Sequence, residues 1–128
     1  MITEDYCSFE VAKLLKEKGF NEPIRCWYDN TKDFHESGVK MRNSDCINPT
    51  IMCPTHQMAM KWLREVHGLH ISLEPCYDYD SMHVVFLAFV QNVADVHEFF
   101  DGRKNVASYP NAEKSYELAI KYCLENLI

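Results

Sequence analysis

Cys53 and His56 lie three residues apart, and together they offer a thiolate and an imidazole. These are donors that zinc accepts, and a structural tetrahedral site needs four of them. Cys46 would supply a third, and Cys26 or His35 a fourth. The spacing argues against such a site, because no second tight pair closes it. None of the six cysteines (Cys7, Cys26, Cys46, Cys53, Cys76 and Cys123) belongs to a C-x-x-C motif. Cys53 and His56 could instead serve as nucleophile and base, since a thiol just ahead of a helix start has its pKa lowered. That chemistry also needs an orienting group and an oxyanion site, and the residue pattern indicates neither. His67 and His70 straddle Gly68. They could bind a metal loosely or exchange protons, but no carboxylate or nucleophile is placed to orient them. A histidine at a helix C-terminus is favoured there by the dipole. Glu74, Asp78 and Asp80 carry cation-binding oxygens, yet the order of an EF-hand loop is missing, so a solvated turn is expected. There is no glycine-rich phosphate loop, H-E-x-x-H or G-x-S-x-G. We therefore expect no catalytic, cofactor-binding or metal-binding residues and no enzyme activity. A metal- or thiol-dependent enzyme using Cys53 and His56 is the competing class.

The other chemistry on offer is recognition. Trp27, Tyr28, Asp29, Phe34 and Arg42 lie just before or within a polar stretch, Asp29 to Met52, that shows no sustained hydrophobic period. A connection of that length is unusual in a compact domain. Loops on a rigid scaffold are also where binding residues concentrate. We expect this stretch to be the most mobile part of the chain, with only Gly38 to Met41 pairing, as an edge strand. Its five residues should make the first contacts with an unidentified protein partner, because interfaces favour tryptophan and tyrosine. The acidic turn Asp78 to Asp80 is the second candidate surface.

Composition narrows the classes further. The chain has 128 residues, 47% hydrophobic and 25% charged, with a net charge of −6 and a pI near 5.4. That length suits one domain with its own core. The negative balance repels phosphate backbones at long range, so a nucleic-acid-binding accessory role is the least favoured alternative. No run approaches the roughly 20 apolar residues that span a bilayer, and the opening MITEDYCSFE carries acids where a signal peptide needs basic and then apolar residues. The expected location is the cytoplasm, without membrane attachment. In that reducing compartment the cysteines are free thiols that pack as small hydrophobes.

Several elements must position these residues. Ser8 caps a first helix with Val11, Ala12, Leu14 and Leu15 inward, and Gly19 stops it, with Phe20 folding back. Ile24 to Tyr28 reads as a strand, and Ile51 to Cys53 as a short one. Thr55 caps a second helix with Met58, Ala59, Trp62, Leu63 and Val66 on one stripe, and Gly68 ends it. Leu69 to Glu74 alternates as a strand, and Pro75 with the following acids makes a turn. His83 to Gln91 is apolar on both faces and belongs at the centre of a sheet. Asn92 caps a short helix through Val93, Val96, Phe99 and Phe100, stopped by Gly102, and Val106 to Tyr109 is a last strand. Asn111 caps the final helix, with Ala112, Tyr116, Ala119, Ile120, Cys123, Leu124 and Leu127 inward.

ITEDYCSFEVAKLLKEKGF, WYDN, PTHQMAMKWLREVHGLHI and KYCLENLI resemble a family of small proteins of no assigned activity. That family is encoded in gut Bacteroides-type bacteria and in their phages and mobile elements. The resemblance covers the first thirty residues, the central block and the last helix. Thr31 to Met52 departs from it. It implies an accessory role in a phage or mobile element and brings no catalytic residue with it.

The elements sum to one α+β domain, residues 1–128, with three main helices packed on a mainly antiparallel sheet. Its core should hold Trp62, Leu63, Val66, Leu69, Ile71, Val85, Leu87, Phe89, Ile120 and Leu124. The function expected is that of a small intracellular protein-interaction module.

Overall fold

Each helix begins where a side-chain oxygen takes up an orphan backbone amide. Ser8 Oγ accepts from the Val11 amide at 3.2 Å, Thr55 Oγ1 from the Met58 amide at 3.2 Å, and Asn111 Oδ1 from the Lys114 amide at 2.9 Å. The helices so started are α1 (Phe9–Glu17), α2 (His56–His67) and α3 (Ala112–Asn126). Gly19 and Gly68 end the first two with φ of 95° and 67°, a region costly for any residue with a Cβ. After Gly19, the Phe20 amide donates back to the Leu15 carbonyl at 2.8 Å and the Phe20 side chain is buried, which completes a Schellman stop.

The computed structural model describes residues 2–47, 49–95, 97 and 102–128. Its strands are β1 (Ile24–Tyr28), β2 (Phe34–Met41), β3 (Ile51–Met52), β4 (Leu69–Asp78), β5 (His83–Asn92) and β6 (Lys104–Tyr109). They form two three-stranded antiparallel sheets, ordered β2-β1-β3 and β4-β5-β6, where a single sheet was expected. The protein is α+β. The chain gathers into two units, Met1–Ala59 and Met60–Ile128, each with its own sheet, and α2 carries the chain from one to the other. Among the described residues no helix is long and apolar enough to cross a membrane.

In the first unit α1 lies against β3. The stretch expected to be a long loop is instead β2 followed by a 3-10 turn at Asn43–Asp45. Asn43 fastens it: its amide nitrogen donates to the Phe20 carbonyl at 2.8 Å, and its Oδ1 accepts from the Met52 amide at 2.9 Å.

In the second unit β5 is the central strand, as its two apolar faces required. The buried Ser115 hydroxyl donates to the Phe86 carbonyl at 2.8 Å and fixes α3 on this sheet. Ile71, Val90, Ala88 and Ala107 share the buried face through direct cross-strand pairing. The expected core residues Leu87 and Phe89 fall one residue out of step, on the opposite and half-buried face. There the Arg103 guanidinium covers the Phe89 ring at 4.0 Å and forms a bidentate pair with Glu74. Trp62, Leu63, Leu69, Ile71, Val85, Ile120 and Leu124 are buried as expected. Val66 is not, at 58% exposure, and Met58 and Leu127 are exposed too, since each sits at the margin of its helical stripe. In α3, Ser115 joins Ala119, Ile120, Cys123 and Leu124 as a buried residue.

β4 also runs further than its sequence suggested, straight through Pro75 to Asp78. β4 is an edge strand, where a proline that donates no hydrogen bond is tolerated. The turn is therefore 79–82, with Met82 at φ 58°. Asn92 Oδ1 does accept from the Ala94 and Asp95 amides. Val96, Phe99 and Phe100 of the expected helix lie outside the described residues.

Candidate functional site

The β1–β2 hairpin brings together four of the five residues singled out for partner binding. Its turn is organised by Asp29. Asp29 Oδ1 accepts from the Thr31 amide at 2.8 Å, the Thr31 hydroxyl at 2.6 Å and the Asp33 amide at 3.1 Å. This is the self-made turn that a short acidic side chain favours. Its other oxygen meets His35 Nε2 at 2.7 Å. The Thr31 hydroxyl, and next to it His35, hold the Asp29 carboxyl well below the usual carboxylate range. With Asp29 ionised, His35 Nε2 carries a hydrogen and donates it.

That bond sets the imidazole over its cross-strand neighbour. Trp27 and His35 are directly paired, and their rings stack with centroids 4.3 Å apart and planes 19° apart. Trp27 pairs on its other side with Met52. The row Met52–Trp27–His35 therefore crosses one face of the sheet. Beside it lies a recess of about 440 Å³, lined by this row with Ser37, Met41 and Thr50.

Tyr28 and Phe34, the next pair along, face the other way. Their rings meet edge to face at 5.8 Å. Tyr6 lies 4.9 Å from Phe34, and Phe9 lies 5.7 Å from Tyr28. The Tyr28 hydroxyl donates to the Cys7 carbonyl at 2.7 Å, so this ring is anchored rather than free to engage a partner. Phe34 is 43% exposed and remains available. Arg42 stands apart from the other four. It follows β2 at the end of the hairpin remote from Asp29, where its backbone amide donates to Asp45 Oδ2 at 3.1 Å.

A second cavity, of about 370 Å³, opens near the N-terminal segment, with Tyr6, Arg25, Cys26, Glu36, Lys40 and Met58 among its walls. A hydrogen bond with Cys26, followed by burial, raises the Tyr6 hydroxyl above the ordinary tyrosine pKa. That group is a neutral donor, not a base.

The residues weighed for metal or thiol chemistry do not converge. The Cys46 thiol donates to the Arg42 carbonyl at 3.3 Å, and the Cys53 thiol donates to the Cys7 carbonyl at 3.1 Å. The histidine ring that Cys53 was to pair with has a different sulfur beside it: Cys7 Sγ and a His56 ring nitrogen lie within 4.8 Å. Sequence reasoning missed this contact. It arises because residues 5–7 run antiparallel to 54–56, through the Tyr6–Thr55 bridge, the Cys7 amide on the Pro54 carbonyl and the His56 amide on the Asp5 carbonyl. No local pattern joins positions so far apart. Cys7 has no exposed surface and Cys53 has 1%, which suits packing better than reaction with a substrate.

In the acidic turn, Asp78 accepts from the Ser81 hydroxyl and the Asp80 amide, which lowers its pKa, and Glu74 is paired with Arg103, which lowers its own. Tyr77 and Tyr79 stand exposed beside that turn, edge to face at 4.9 Å.

No protein-family model matches this chain, and no curated protein or solved structure matches it significantly.

Proposed function

We propose that the protein is a small cytoplasmic interaction module, not an enzyme, that holds a protein partner through the β1–β2 hairpin. The observation that carries this reading is the Trp27–His35 stack, locked by Asp29 beside the 440 Å³ recess. A half-exposed indole whose geometry is already set loses little entropy on binding, and tryptophan is the residue most enriched at interface hot spots. Phe34 offers a second apolar contact on the reverse face. The net charge of −6 supports a protein partner over a nucleic acid. An accessory role in a phage or mobile element rests on the sequence resemblance alone.

The test is affinity capture from the source organism with the tagged full chain, in parallel with Trp27→Ala and Phe34→Ala. A partner held by the wild type should be lost from Trp27→Ala, provided circular dichroism shows that the variant is folded. Retention of every partner by folded Trp27→Ala removes the hairpin face from consideration.

A further inference from the structure

We propose that the 370 Å³ cavity of the first unit binds a free amino acid with an apolar side chain, its carboxylate held by Arg25 and Lys40 and its ammonium by Glu36. The β1–β2 ladder builds the place for it. Between the pairs Cys26↔Glu36 and Ile24↔Met41, β1 advances two residues while β2 advances five, so Arg25 alone lies opposite residues 37–40. A bulge of this kind bends its strand and re-aims side chains, and bulges collect beside functional sites. Glu36 and Lys40 stand at its two ends, and both border the cavity together with Arg25. Every residue of the lining belongs to the first unit. The volume falls in the range of small-molecule sites, which combine an apolar wall with a few placed polar groups.

The chemistry of the walls selects the occupant. Arg25, Glu36 and Lys40 are exposed, and among the described residues none of them forms an ion pair. Opposite charges that border one cavity without neutralising each other suit a ligand that carries both signs. A guanidinium takes a carboxylate through two parallel hydrogen bonds, and a lysine ammonium adds a point charge. The ligand's own ammonium has only donors and needs acceptors, which the Glu36 carboxylate supplies. The fourth charge of the lining, Glu4, is engaged by the Tyr6 hydroxyl, which donates to it at 3.3 Å. Pro23, Ile24 and Met58 give the apolar wall, and Met58 is 37% exposed. Its unbranched thioether adapts to irregular apolar shapes. An anion with no ammonium group would leave Glu36 facing like charge.

This site goes beyond the hairpin's grip on a protein partner, and the two ideas fail separately. Arg25, Lys40 and Met58 border this cavity and not the 440 Å³ recess, while Glu36 borders both. Trp27→Ala should therefore leave amino-acid binding intact. The experiment is isothermal titration calorimetry of the full chain with three probes: L-leucine, N-acetyl-L-leucine, which lacks the ammonium, and L-leucinamide, which lacks the carboxylate. Leucine should bind with a Kd below about 1 mM. Each blocked probe loses charge-assisted hydrogen bonds and should bind about tenfold more weakly or worse. Arg25→Gln should weaken leucine by a similar factor and leave leucinamide unchanged. Glu36→Gln should weaken leucine and leave N-acetyl-leucine unchanged. This matching of variant to missing group is what a merely structural role would not produce. An absence of leucine binding up to about 10 mM by the folded wild type overturns the proposal. So does equal binding of all three probes, or leucine affinity indifferent to both substitutions.

Discussion

Replacing Asn43 with alanine should be among the most damaging single changes in the first unit. Asn43 is 8% exposed and makes two hydrogen bonds, to the Phe20 carbonyl and from the Met52 amide. Phe20 and Met52 are each 1% exposed, so neither backbone group regains water when the side chain is cut back. A buried polar group left unpaired costs about 1–3 kcal/mol, so two cost roughly 2–6 kcal/mol. Stability is only about 5–15 kcal/mol in total for a typical domain. Urea denaturation of Asn43→Ala should therefore show a midpoint lowered by about 1–3 M with little change in slope. Hydrogen exchange adds a local readout, since the Met52 amide should lose protection before its neighbours do. Asn43→Asp separates the two bonds. It keeps an acceptor for the Met52 amide but points a carboxylate oxygen at the Phe20 carbonyl, which favours the protonated acid and raises the folded-state pKa. A raised pKa contributes stability below the unfolded value that is lost as pH rises. Asn43→Asp should accordingly approach wild-type stability near pH 4 and fall away toward pH 7. A loss below about 0.5 kcal/mol in Asn43→Ala, with the Met52 amide still protected, would refute the assignment of Asn43 as the residue that fastens this segment to Phe20 and Met52.

Three other outcomes are expected. Asp29 has a folded-state pKa below its ordinary 3.8, so its contribution is complete above about pH 4 and is lost as pH falls further. An NMR titration should find it ionised at pH 3, and Thr31→Val should move its midpoint upward. Gly68→Ala should cost more than Gly19→Ala in thermal melts. Both positions have positive φ and lose about 1 kcal/mol to that alone, but an added Cβ at Gly68 meets the Ala94 Cβ at 2.5 Å while Gly19 faces open space. Cys76 is exposed and should react first with a thiol reagent at pH 8, whereas burial pushes the Cys123 thiol up to about 12 and should leave it among the last to react. Mass mapping of early products gives the order.

Capping was readable from the chain because it is local. Ser8, Thr55 and Asn111 each bond an amide three residues ahead, and Gly19 and Gly68 adopt a conformation that other residues avoid. β1 and the central position of β5 were readable for a related reason, since a run of β-formers apolar on both faces has few other places to go. Four of the five proposed contact residues do meet on one hairpin, because Trp27, Tyr28 and Asp29 are adjacent and Phe34 returns beside them. β2 itself left no such trace. His35, Glu36 and Ser37 are polar on both faces, and the register slips between Ile24 and Cys26 of its partner. A strand like that is specified by what it pairs with.

Tertiary contacts made the remaining choices. Period alone does not say which face of β5 is covered, so Ala88 and Val90 are buried in place of Leu87 and Phe89 only because α3 packs where it does. The ends of a helical stripe are decided in the same way: Trp62 and Leu63 are enclosed while Val66 is left in solvent. Cys7 reaches His56 through an antiparallel bridge between distant segments, and Trp27 meets His35 through cross-strand pairing. Hydrophobic period and capping act over one turn of chain. Pairing register, face and side-chain convergence depend on contacts between segments remote in sequence, which is why they emerge only in the folded protein.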